Sequence, residues 1–167
     1  MTSKSQSLNK NILRLSEQLG QKLLSRNWTL CTAESCTGGG VAAVITKIAG
    51  SSEWFEYGIV SYANAAKIKL LNVQTTTLEK FGAVSEETVT EMLKGVLTLS
   101  GAHVGIAVSG IAGPSGGTEE KPIGTVWFAV GECEKFQTFH QRFSGDRDSI
   151  QQQAIEYSLL KLNQFLI

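Results

Sequence analysis

The sequence is poor in proline, cysteine and histidine and has no surplus of either charge. Two prolines stand in 167 residues, against 17 glycines, so backbone freedom is concentrated without being broken up by rigid turns. Cys31, Cys36 and Cys133 are odd in number and form no C-x-x-C pair. That argues against a disulfide framework or a zinc knuckle and suits a reducing, cytoplasmic setting. His103 and His140 stand apart from one another, so no metal and no cofactor is expected. Fifteen basic side chains balance fifteen acidic ones. Duplex nucleic acid needs a clustered basic surplus, which is lacking, whereas a small anion needs only one or two arginines. The apolar runs 41–45 and 126–130 fall far short of the roughly 20 residues that span a bilayer. The polar start MTSKSQSLNK has no apolar stretch of a signal peptide behind it. Neither a membrane nor a nucleic acid is expected as partner.

What is present describes one folded domain. Hydrophobic residues make up 42% and charged residues 18%, the balance of a chain that buries a core. Residues 1–7 are expected to be frayed and 8–167 to form the domain. Leu8, Ile12, Leu15, Leu19 and Leu23 recur at i, i+4, i+7, i+11 and i+15, the stripe of an amphipathic helix running to about Arg26. Strands are expected over 28–33, 57–62 and 103–109, with a hairpin over 125–130 and 136–143. Helices are expected over 41–48, 65–71, from the Ser85 cap to about Leu99, and from the Asp146 cap to Phe165. Strands alternating with helices, closed by one hairpin, predict a three-layer α/β/α domain with a mixed, mostly parallel sheet.

Seven of the 17 glycines fall in two stretches, 38–40 and 110–117. The first follows Glu34-Ser35-Cys36-Thr37 in a strand–turn–helix arrangement. Backbone N–H groups converge there and can hold a phosphate or a developing oxyanion, although Ser35 or Thr37 capping a helix explains the pattern equally well. It is neither a nucleophile elbow nor a Walker loop, since G-x-S-x-G and Gly-Lys-Ser/Thr are both absent. The second stretch, Ser109 to Thr118, follows a buried strand, where an α/β sheet places its ligands; the alternative is a plain surface loop. In Ser61-Tyr62-Ala63-Asn64-Ala65-Ala66-Lys67, Asn64 would cap a helix with Lys67 in its first turn. The helix N-terminus there favours negative charge and would depress the lysine pKa toward a general base, against the default of a solvated lysine. Arg147, in the first turn of the last helix, can fork onto a phosphate or pair with Asp146 or Asp148. Cys36 is a rival nucleophile with nothing beside it in sequence to make a thiolate.

Four segments in this order are more specific than any one: TAESCTGG, SYANAAK, GAVSEE with SGIAGPSGG, and PIGTVWFA with FSGDRD. Together, over about residues 8–166, they resemble the C-terminal domain of the competence/damage-inducible protein CinA and its stand-alone relatives, the bacterial nicotinamide-mononucleotide deamidases. The resemblance implies hydrolysis of nicotinamide mononucleotide to nicotinate mononucleotide and ammonia, in pyridine nucleotide recycling. It implies Ser35 as nucleophile, Tyr62 and Lys67 as its catalytic partners, and Arg147 in substrate binding.

With no histidine near these motifs, a Ser–Lys pair would carry the chemistry, Tyr62 relaying the proton or orienting the lysine. The oxyanion donors are expected around Thr37, Gly38 and Gly39. The phosphate is expected at Arg147 or the glycine loop, with Ser109, Gly110, Gly113 and Gly116 as binding positions. Ser115 stands where relatives often carry an acidic or other polar residue, and Gly40 extends the glycine pair to three. CinA proper has a further N-terminal domain resembling molybdopterin-binding proteins, whose activity is not expected of this chain. The alternative is a non-catalytic pyridine-nucleotide-binding module of the same family, linked to competence or DNA damage. A homo-oligomer such as a dimer is compatible with the sequence but not marked in it.

Overall fold

A computed structural model describes the backbone of residues 3–167 and the side chains of residues 6–167. In chain order the elements are α1 (Ser3–Arg26), β1 (Leu30–Glu34), α2 (Gly40–Ile45), β2 (Phe55–Val60), α3 (Asn64–Leu71), α4 (Thr75–Phe81), α5 (Glu86–Ser100), β3 (Val104–Gly110), β4 (Thr125–Gly131), β5 (Phe136–Arg142) and α6 (Arg147–Phe165). The frayed start expected over 1–7 lies partly outside the described residues, and from Ser3 the chain is helical. The five strands form one sheet in the order β2-β1-β3-β4-β5. β1 pairs in parallel with β2 and β3, while β3–β4 and β4–β5 are antiparallel. Only β4 therefore runs against the rest, and the strand pairs divide evenly between the two senses.

The apolar patterns of the sequence become two packed layers. The α1 stripe Ile12, Leu15, Leu19 and Leu23 is buried with Val41 and Ile45 of α2, Leu159 and Leu162 of α6, and Leu30, Val104 and Ile106 of the sheet. On the opposite face, Val89, Met92, Leu93 and Val96 of α5 pack with Leu71 of α3 against Cys31, Ala33 and Ala107. Alternate residues of β1 thus serve opposite faces, as the two-residue period of a strand demands, and all five residues of β1 are buried. This is the expected three-layer α/β/α arrangement.

Two close approaches set the helices around the site. A Cβ on Gly95 of α5 would lie 1.9 Å from the Leu71 carbonyl oxygen, so only glycine lets α5 sit so tightly against the end of α3. A Cβ on Gly40 would lie 2.5 Å from Cδ1 of Ile155. The third glycine of the first stretch therefore seats α2 against α6.

Local expectations met two differences. Asn64 does not cap α3: the cap is Ala63, without a side-chain bond, and Asn64 is the first helical residue. α4 is additional to the elements expected from sequence. Its segment TTTLEKF is rich in β-branched threonine and has no buried residue, so neither propensity nor periodicity marks it. Ser85 and Asp146 do cap α5 and α6, accepting from the backbone N–H of Thr88 and of Ser149.

Candidate active site

The site forms where β1, β2 and β3 end. After β1 the chain turns to α2, in the core layer shared with α1 and α6. After β2 it turns to α3, in the layer of α5. The two connections part at the sheet edge and leave a crevice, which is where open α/β sheets bind their ligands. A cavity of about 220 Å³ opens there, lined by Ser35, Cys36, Tyr62, Lys67, Ala83, Val84, Ser109, Gly110, Ala112 and Arg147.

Lys67 is the unusual residue. Its side chain is 1% exposed, although a lysine is almost never buried without a partner. Nζ lies 2.9 Å from Ser35 Oγ, 2.7 Å from the Ser61 carbonyl oxygen and 3.1 Å from the Tyr62 carbonyl oxygen. No carboxylate is among these partners. Loss of hydration on burial lowers its pKa from 10.5 to about 8. Burial is thus the leading cause of the depression that the sequence attributed to the helix terminus. A Cys36 thiolate would raise the lysine pKa again, but burial pushes the Cys36 thiol up to about 12. At neutral pH that neighbour is an uncharged thiol and a poor nucleophile.

The geometry around Nζ follows from simple hydrogen-bond accounting. Carbonyl oxygens can only accept. A neutral amine has two N–H bonds and one lone pair. With both N–H bonds given to Ser61 and Tyr62, the lone pair is left for Ser35 Oγ, which can then donate its proton to Nζ. In its neutral form the amine thus has its lone pair free toward one hydroxyl.

Glu34 holds the loop from the other side of the strand, and nothing in sequence reasoning gave it a role. It is fully buried. Its carboxylate accepts from the Thr37 hydroxyl at 2.6 Å, from the Val41 N–H at 2.8 Å and from the Ala42 N–H at 3.0 Å. It therefore occupies the start of α2, where the sequence placed a substrate anion or oxyanion. The sequence signal for it is a lone acid at the end of an otherwise uncharged strand, just before a helix. Gln151 of α6 adds a further tie, donating to the Cys36 carbonyl at 2.8 Å. The Gly38 N–H is bonded to the Ser35 carbonyl, and the Ser35 N–H to the Val108 carbonyl.

Seven of the residues singled out in sequence meet at the cavity: Ser35, Cys36, Tyr62, Lys67, Ser109, Gly110 and Arg147. Gly113 borders it through its carbonyl, which accepts from Arg147 Nη1 at 2.7 Å. Thr37, Gly38, Gly39 and Gly116 are not among the lining residues: Thr37 is tied to Glu34, and Gly38 and Gly39 shape the turn with φ of 60° and 92°. Arg147 pairs with neither Asp146 nor Asp148. Its second nitrogen instead donates to the Tyr62 hydroxyl at 3.1 Å. Tyr62 consequently meets Lys67 through its backbone carbonyl, while its hydroxyl faces Arg147. Ser109, 1% exposed, donates to the Ala83 carbonyl at 2.7 Å. That bond brings the segment before α5 into the wall, and Ala83, Val84 and Ala112 had carried no signal as lining residues. His103 bonds the Thr29 N–H and stacks on Trp28, just before β3 and β1 begin, at the end of the sheet away from the site.

Comparisons with known proteins bear on the family and the fold. The chain is 53% identical over 157 residues to a nicotinamide-nucleotide amidohydrolase PncC of Shigella flexneri, covering 93% of this chain and 95% of that protein. It is 45% identical over 144 residues to the protein of that name from Pseudomonas putida, covering 86% and 90%. A crystal structure of a competence-damaged protein (CinA) superfamily member from Klebsiella pneumoniae superposes with a TM-score of 0.90 at 40% identity, covering 93% of this chain and 97% of that one. The CinA C-terminal domain family matches residues 12–166. With that span, these relatives and this fold, the chain belongs to the CinA C-terminal domain family.

Proposed function

We propose that the protein hydrolyses the carboxamide of nicotinamide mononucleotide, giving nicotinate mononucleotide and ammonia, with Ser35 as nucleophile and Lys67 as base. The observation that carries this reading is the buried Lys67 amine, 2.9 Å from Ser35 Oγ and saturated by two carbonyls on its other side. The PncC relatives, named nicotinamide-nucleotide amidohydrolases, support a nicotinamide nucleotide as substrate.

In this mechanism neutral Lys67 takes the Ser35 proton as Oγ attacks the carboxamide carbon. The ammonium then returns that proton to the departing amine, and the C–N bond breaks to release ammonia. A nicotinoyl ester on Ser35 remains. Lys67, neutral again, deprotonates a water that attacks this ester and regenerates the serine. The Cys36 N–H, which follows the nucleophile and makes no bond within the described residues, is the oxyanion donor of this scheme. Arg147 with the adjoining glycine loop is the site for the phosphate. Neither step calls for a metal or a cofactor.

No helix of the described residues is long and apolar enough to cross a membrane. The three free cysteines suit a reducing compartment, and the balanced charge suits one small anionic substrate and not a polyanion.

The deciding experiment is a coupled ammonia assay on nicotinamide mononucleotide. Wild-type protein is expected to release ammonia in the presence of chelator, and Ser35→Ala and Lys67→Ala are expected to release none above background. Tight nucleotide binding without ammonia from the wild type would instead establish a binding module.

A further inference from the structure

Tyr62 is the one aromatic residue in the cavity lining, and its position suits a role other than proton transfer. Its hydroxyl is fastened to Arg147 Nη2, and Arg147 is fastened in turn to the Gly113 carbonyl. Its backbone carbonyl meets Lys67 Nζ at 3.1 Å, so the residue begins beside the reacting pair. The side chain remains 59% exposed, and no aromatic ring of the described residues stacks on it. A large aromatic surface is thus held at the mouth of the cavity, immobilised at its far end and left uncovered.

The proposed substrate has a matching surface. Its carboxamide hangs on a pyridine ring whose nitrogen is bonded to ribose, so the ring is a flat cation. When the carboxamide carbon meets Ser35 Oγ, that ring lies within reach of the residue whose carbonyl holds Lys67. The negative face of a phenol ring attracts a cation, more strongly as water is excluded. Resting on the reading above, we propose that the Tyr62 ring is the platform on which the substrate's pyridinium stacks. Tyr62 is then a specificity-determining residue, selecting an oxidised, cationic ring over a neutral one. Arg147 keeps the platform in place through the hydroxyl.

The test reads binding separately from turnover. In the Ser35→Ala protein, titration calorimetry would give the dissociation constant of nicotinamide mononucleotide and of its reduced form, which keeps carboxamide, ribose and phosphate but loses the ring charge. The cationic form is expected to bind about tenfold to thirtyfold more tightly. Adding Tyr62→Leu is expected to abolish that preference, whereas Tyr62→Phe, which keeps the ring, is expected to retain most of it. In the protein with Ser35 intact, Tyr62→Leu is expected to raise KM by about tenfold with kcat within about threefold. Equal binding of the two forms by the Ser35→Ala protein would overturn the proposal. So would a kcat loss of about a hundredfold or more in Tyr62→Phe, because the hydroxyl would then be acting chemically. Ammonia release by the wild type tests the amidase reading alone, and the binding ratios stand or fall without it.

Discussion

Glu34 and Lys67 are both buried charged residues within contact of the same short loop, yet their surroundings give them opposite fates. The Glu34 side chain lies on the α2 side of the sheet, where a hydroxyl and two backbone N–H groups at a helix start surround its carboxylate. All three of these groups donate to the carboxylate, and it is spent on holding the loop to the helix start. Lys67 lies on the α3 side, among two carbonyls and one hydroxyl, with no anion among its partners. Its charge is poorly compensated, so the neutral amine becomes accessible near neutral pH. Burial alone does not make a residue catalytic. What matters is whether its neighbours satisfy the charge or leave it easily lost.

Three measurements would break or sharpen this contrast. The largest effect is expected in kcat. Lys67→Ala should lose at least about a thousandfold in ammonia release, as expected for a base acting as a unit with its nucleophile. Glu34→Gln should lose roughly tenfold to a hundredfold through a displaced loop and about 3 kcal/mol of stability, since an amide nitrogen would face backbone donors. If Glu34→Gln matched Lys67→Ala in rate while melting like the wild type, the structural reading of Glu34 would be wrong.

Next in size is the pH profile. A base with pKa of about 8 predicts that kcat/KM climbs about tenfold per pH unit below that value and levels above it. A flat profile from pH 6 to 9 would remove Lys67 as the base.

The smallest effect is in stability. Lys67 binds its proton more weakly folded than unfolded, so between about 8 and 10.5 the unfolded chain holds more protons and stability rises with pH. Lys67→Met lacks this dependence. Its stability relative to the wild type should therefore fall by about 2–3 kcal/mol from pH 7 to pH 10 in denaturant titrations.

Much of the fold was legible in local sequence because it rests on periodicity and capping. The five-residue stripe of α1, the short apolar run that became the buried β1, and the Ser85 and Asp146 caps each act over a few residues. α4 escaped because it buries no residue and has no period to display. Asn64 was misplaced by one position because a sequence shows a capping residue type but not which backbone turn uses it. In the site, Ser35, Lys67 and Arg147 were marked by motif. Glu34 and Gln151 were not, since their importance lies in which backbone groups they reach across the fold.

The two glycine stretches mark the boundary between the two kinds of information. Sequence alone determined that the chain folds as one α/β domain, that its glycines gather at the ends of buried strands, and that a serine and a lysine stand at such ends. It also determined the family, through motifs long enough to be distinctive. Only the tertiary structure decided which loop lines the cavity. In the first stretch Thr37 is tied to Glu34 and the Gly38 N–H to the Ser35 carbonyl. In the second, Gly110 lines the cavity and the Gly113 carbonyl anchors Arg147 beside it. The physical reason is that a hydrogen-bonding group serves a substrate only when the protein leaves it unsatisfied, and satisfaction is settled by residues distant in sequence. The same holds for Lys67: its pKa is lowered by what lies around it once the chain has closed over it.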